Sequence, residues 1–121
     1  MKINFSSNKI TKSDINHVGN ILKSGWLTHG KNTINFENEF KKFTGAKYAI
    51  TVSSCTAGLH LSCMALNLKK DDEIIVPSQT HVATAHAVKL AGGKPVFCDI
   101  DYLTGLISPE DIKKEISKKT K

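Results

Sequence analysis

Three short apolar runs rich in branched residues, at 48–52, 73–76 and 95–98, alternate with stretches whose apolar residues recur every three to four positions. That alternation restricts the fold more than any other feature. A strand followed by a helix does not return as a tight hairpin; the next strand arrives parallel to it, with the helix laid across the sheet. The order α-α-β-α-β-α-β-α therefore predicts an α/β fold, with a mainly parallel sheet flanked by helices. In such sheets ligands gather beyond the carboxyl ends of the strands. Two polar loops, 53–57 and 78–81, follow strand runs and are candidates to face one site.

Local signals mark where the helices start and stop. Thr11 offers an N-cap with Asp14 three residues on, and Ile15, Val18, Ile21 and Leu22 form a stripe that Gly25 stops. Ile3 and Phe5 precede it as a short extended arm. A second helix spans 33–43, striped by Ile34, Phe36, Phe40 and Phe43, and Gly45 closes it. After loop 53–57, Leu59, Leu61, Met64, Ala65 and Leu68 describe a largely buried helix. Another runs 82–90 and ends at Gly92 and Gly93. Ser108-Pro109-Glu110-Asp111 combines an N-cap, Pro at the first position and acids in the first turn, opening a helix that holds Ile112 and Ile116. The ending 117–121 reads as the approach to a further strand. No internal repeat or linker interrupts the 121 residues, a length within the range of one domain.

Charge narrows the partners. The net charge is +6, yet all 17 basic residues are lysines, and no arginine is present to make bidentate contacts with bases. The lysines are scattered among acids except in 113–121, which reads as a solvated helix face, so no nucleic-acid partner is expected. Three cysteines, Cys55, Cys63 and Cys98, lack CxxC spacing, and the five histidines lack HExxH or other ligand spacing. Neither a disulfide framework nor a metal site is expected. The first residues show no leader-like region, and no apolar run approaches the roughly 20 residues of a membrane helix. A cytoplasmic chain without a membrane partner is the expectation.

The stretch from Thr51 to His60 carries the clearest chemistry. Ser53, Ser54 and Thr56 fall where a helix begins, and the free N–H groups and positive dipole end there suit an anion such as phosphate. A serine at that place also serves as an ordinary helix cap, and the local residues leave both readings open. Cys55 in the same turn has no base partner in the sequence pattern and reads as a small structural residue. His81 lies at the mouth of the other strand-end loop, where an imidazole plane can stack on a flat ligand. Trp26, the only tryptophan, sits in the glycine-bracketed loop 25–30 as either an anchor or a pocket wall. Neither a P-loop nor a GxGxxG fingerprint is present.

Five segments then come in the order and spacing of one family. They are Ser24-Gly-Trp-Leu-Thr-His-Gly30, Val52-Ser-Ser-Cys-Thr-Ala-Gly-Leu-His-Leu61, Asp72-Glu-Ile-Ile-Val-Pro-Ser78, Thr80-His-Val-Ala-Thr-Ala85 and Lys94-Pro-Val-Phe-Cys-Asp-Ile-Asp101. From Phe5 to Lys121 the chain resembles the N-terminal part of the DegT/DnrJ/StrS sugar aminotransferases, pyridoxal-phosphate enzymes of fold type I.

The resemblance implies that residues 1–121 are the N-terminal arm and first part of the large cofactor-binding domain, with an incomplete sheet. It implies that Thr56 and Ala57 offer backbone N–H groups to the cofactor phosphate, and Thr56 a hydroxyl. Cys55 stands in that turn where the family more often has Gly. His81 matches the residue whose ring stacks on the pyridine face, a place often taken by Phe or Trp. Trp26 and Thr28 match the loop bordering the substrate end of the pocket, and Asp99 and Asp101 match a structural acidic pair. The implied cofactor is pyridoxal 5'-phosphate, and the implied reaction transfers an amino group from L-glutamate to a nucleotide-linked keto sugar. A sugar dehydratase of the same family is the alternative, with His in place of the Schiff-base Lys. A non-catalytic phosphate-binding or dimerisation module is another. No lysine here matches the Schiff-base motif, which is expected downstream of Lys121, so no catalytic residue is assigned in this chain and by itself it is expected to be inactive. The intact protein is expected to be a homodimer, and residues 1–121 alone are expected to be poorly stable.

Overall fold

Each of four helices starts where a side chain answers one of its first free N–H groups. The computed structural model describes residue 3 and residues 6–121; Phe5, part of the expected N-terminal arm, lies outside the described residues. The chain divides into two compact units, one running to Thr51 and the other Val52–Lys121.

In the first unit, helix α1 covers Lys12–Lys23 and opens with the expected capping box. The Asp14 N–H donates to Thr11 Oγ1 at 3.2 Å, and the Thr11 N–H donates to the Asp14 carboxylate at 2.8 Å. Helix α2 covers Lys31–Thr44, starting two residues earlier than its stripe suggested, and ends at Gly45 in the left-handed conformation with φ 73°. Between them the Trp26 indole N–H donates to the His29 carbonyl at 3.0 Å. The ring then lies so close to Gly30 that a Cβ there would stand 2.5 Å from Trp26 Nε1. Only glycine fits.

The strand expected at 48–52 does not form a ladder. A strand exists only through a neighbour's N–H and C=O groups, and here the backbone finds a different partner. The Thr51 N–H and its hydroxyl both donate to Glu37 Oε1, each at 2.8 Å, tying the segment to α2. Ile50 remains 80% exposed. No described residue of this unit is buried.

The second unit holds α3 (Cys55–Ala65), β1 (Glu73–Pro77), α4 (Val82–Leu90), β2 (Lys94–Cys98) and α5 (Pro109–Glu115). β1 and β2 pair in parallel, with Glu73 opposite Lys94 and Pro77 opposite Cys98. Helix α4 is the crossover and packs on both strands. The core is Val76, Ala83, Ala87, Val88 and Cys98. Ala83 and Ala87 lie one turn apart and let α4 approach the sheet closely. A Cβ on Gly93 would stand 2.9 Å from the Leu68 side chain and 3.2 Å from that of Val88, so any larger residue there displaces Leu68.

Helix α3 corrects a second expectation. It packs against α4 but contributes no buried residue, and Leu61 and Met64 are about half exposed. Its apolar residues point to more than one side, and a single neighbouring helix covers only one of them.

The residues expected to approach a further strand do pair. The Glu73 N–H donates to the Lys119 carbonyl at 2.8 Å and the Lys121 N–H donates to the Glu73 carbonyl at 2.9 Å, a parallel bridge to Thr120. The Glu73 carboxylate joins the same three segments, accepting from Lys94 Nζ at 3.0 Å and from the Ser117 hydroxyl at 2.6 Å. The Ser117 hydroxyl, followed by Lys94, holds its pKa below the ordinary value.

Two variants test these contacts. Because the folded pKa of Glu73 is depressed, its contribution is complete above the ordinary value of 4.5 and is lost as pH falls through the lower native value. Thermal midpoints of wild type and Glu73→Gln are therefore expected to differ at neutral pH and to converge once the pH falls below the depressed native pKa of Glu73. Gly30→Ala forces a methyl group into the Trp26 ring at a cost of about 1–3 kcal/mol. It is expected to break the indole–His29 hydrogen bond, read directly as a shift in the emission maximum of the single tryptophan.

Candidate functional site

The turn at 53–57 and the start of α3 satisfy only part of their own hydrogen bonding. Ser54 is extended, with φ −162°, and its hydroxyl accepts from the Ala57 N–H at 3.1 Å. The first N–H bonded within the helix is that of Gly58, to the Ser54 carbonyl at 3.1 Å. The N–H groups of Cys55 and Thr56 and the Thr56 hydroxyl make no hydrogen bond among the described residues. Ser54 thus caps one amide, as the capping reading expects, and the two before it stay open. Of the two amides expected to face an anion, that of Thr56 is free and that of Ala57 is held by Ser54.

Charge placement separates the helices. The first turn of α1 contains Asp14 and that of α5 contains Glu110 and Asp111, acids that neutralise the positive dipole end. The first turns of α2, α3 and α4 contain none, which leaves their N-termini electropositive. Of these, α3 and α4 follow segments that sequence reading placed at the head of the sheet.

His81 lies not in a loose loop but at the N-cap of α4, where its Nδ1 accepts from the Ala83 N–H at 3.1 Å. Its ring is exposed. Beside it the hydroxyls of Thr80 and Thr84 are 3.0 Å apart and share a hydrogen bond. Helices α3 and α4 pack against each other within one unit, so the Thr56 turn and His81 belong to the first turns of one packed pair. The capping role of His81 was missed in the sequence because Ser, Thr, Asp and Asn are the usual caps.

In the other unit, Trp26 and Thr28 line a cavity of about 210 Å³ together with Ile21, Leu27, Asn32 and Thr33. Trp26 is thus anchored through its indole N–H and is also a wall. Asp101 is structural, as expected. Its carboxylate accepts from the N–H groups of Leu103 and Thr104 and from the Thr104 hydroxyl, and the Thr104 amide chiefly holds its pKa low. Burial pushes the Cys98 thiol up, an inert core position. Glu37, whose carboxylate fixes Thr51 just ahead of the turn, carried no sequence signal beyond its place on a helix.

Comparison with known proteins supplies the context. A structure of a Streptococcus pneumoniae protein assigned as a sugar aminotransferase, in its PLP form, matches all of this chain with a TM-score of 0.90 and 32% identity. The GDP-4-keto-6-deoxy-D-mannose-3-dehydratase of E. coli, with bound hydrated PLP, matches 96% of it with a TM-score of 0.88 and 32% identity. An uncharacterized protein of Methanocaldococcus jannaschii is 46% identical over 93% of the chain. The chain spans 31% of each of those two structures and 29% of that relative. The arrangement of helices around a small, open parallel sheet is that of the N-terminal part of a fold type I transferase large domain. The model of the DegT/DnrJ/EryC1/StrS aminotransferase family matches residues 8–121, and this chain belongs to that family.

Proposed function

We propose that this chain is the first, cofactor-holding part of a pyridoxal-phosphate enzyme that moves an amino group from L-glutamate to a nucleotide-linked keto sugar. The observation that carries this reading is the start of α3, with two open amides, a free threonine hydroxyl and no acid in its first turn. That is the chemistry an anionic phosphate requires, and family membership says which phosphate.

The residues take the following parts. The amides of Cys55 and Thr56 and the Thr56 hydroxyl hold the phosphate, and the Ala57 amide joins them when the Ser54 hydroxyl turns away. His81 lays its ring against the cofactor ring, and Trp26 and Thr28 border the substrate end. Pyridoxal phosphate supplies the electron sink when bound, and the protein's part is to hold and orient it. We assign the Schiff-base lysine, by family resemblance, to sequence following Lys121, and the working enzyme to a homodimer. On this reading residues 1–121 are the opening segment of the large domain and are inactive alone. A sugar dehydratase has specific support as a second reading, because the E. coli 3-dehydratase matches this chain at the same 32% identity as the S. pneumoniae protein.

Expression of the full reading frame containing this chain tests the proposal. Added pyridoxal phosphate is expected to give a visible absorbance band that L-glutamate shifts, with amino transfer to a nucleotide-linked keto sugar. Loss of the sugar hydroxyl without net amino transfer would favour the dehydratase. A protein that takes up inorganic phosphate but never acquires the band would overturn the cofactor reading. Thr56→Val removes one charge-assisted hydrogen bond and is expected to weaken cofactor binding roughly 10- to 100-fold.

A further inference from the structure

The hydrogen bond between the Ala83 N–H and His81 Nδ1 has a chemical consequence for the ring that carries it. A ring nitrogen that accepts an N–H must keep its lone pair, so Nδ1 is unprotonated and the proton of the neutral imidazole is on Nε2. The contact also ties the ring to the backbone of its own helix. His81 is extended, with φ −67° and ψ 139°, and the bond runs to an amide two residues on. With its backbone at the N-cap and Nδ1 on that amide, the plane of the ring is set by α4.

Resting on the cofactor site proposed above, we propose that His81 is a dual-purpose residue. It caps α4 through Nδ1 and thereby presents to the cofactor ring an imidazole of fixed plane, with Nδ1 engaged and Nε2 turned outward. Nε2 makes no hydrogen bond among the described residues, so the Nε2–H remains a free donor on an exposed ring. No other side chain meets both demands: Phe stacks but cannot cap, and Asn caps but offers no ring.

The test uses the full reading frame containing this chain, labelled with 15N at histidine. In the cofactor-free protein, His81 is expected to show a pyridine-like Nδ1 and a pyrrole-like Nε2; the opposite tautomer overturns the proposal. His81→Asn is expected to keep the thermal midpoint while binding pyridoxal phosphate roughly fivefold to tenfold more weakly. His81→Phe is expected to bind the cofactor more tightly than His81→Asn but more weakly than the wild type, because nothing fixes its ring, while melting about 2 °C lower. If Asn melts as low as Ala at this position, or binds cofactor like the wild type, the dual role is wrong. A wild-type protein that shows the Nε2–H tautomer and the cap effect but never binds pyridoxal phosphate would refute the cofactor reading and the stacking half, leaving the cap.

Discussion

Parallel pairing of β1 with β2 is the constraint on which the second unit depends. Two parallel strands cannot be joined by a turn, so the chain must travel back along the sheet, and α4 makes that journey. Its first residue then has to follow the carboxyl end of β1, with only 78–81 between them. Ala83 and Ala87 allow α4 to come close, and with Val88 they seal Val76 and Cys98 into the core. The position of His81 follows from this route. A residue five places before His81 is in the sheet, and one three places after it is on the helix.

The polar groups left at the helix starts show how stability and openness are divided. A carboxylate in a helix's first turn contributes about 0.3–1 kcal/mol. α1 and α5 take that contribution through Asp14, Glu110 and Asp111, while α2, α3 and α4 forgo it. An acid at the start of α3 would strengthen the helix and repel any phosphate brought to it. At α3 the missing acid is a small sacrifice that leaves the place where an anion is proposed to bind free of that repulsion, although α2 lacks one as well. Ser54 limits the sacrifice, since it answers one amide and leaves those of Cys55 and Thr56 open.

What was legible in the sequence was what neighbouring residues decide. The span 82–90, the capping box at Thr11 and the Ser108-Pro109 start were written in local chemistry and stand as read. The segment 48–52 has strand composition, but a ladder is a property of two segments, and its amide at Thr51 went to Glu37 instead. The apolar residues of α3 signalled a buried helix, whereas burial depends on how many neighbours arrive. The cap that His81 makes on α4 was not legible, because an imidazole cap has no recognisable sequence mark. The family was legible only from five motifs in order, since each alone is an ordinary strand, turn or helix start.

Cys55 stands where the family resemblance implies glycine, and the fold shows why glycine is not required there. Glycine is demanded where φ is positive or where a Cβ would collide, as it is beside Trp26 at Gly30. Cys55 is the first residue of α3, inside the helix and exposed, and among the described residues it is not one of the positive-φ positions. A helical backbone accepts any side chain there, and glycine is the weaker helix former by roughly 0.5–1 kcal/mol relative to alanine. The conformation of the turn therefore does not need glycine at position 55. A helical side chain leans toward the N-terminus of its helix, the same end to which the amides of Cys55 and Thr56 are directed. In the proposed site the thiol thus flanks the phosphate position, while the amide that does the binding is the same in Cys as in Gly.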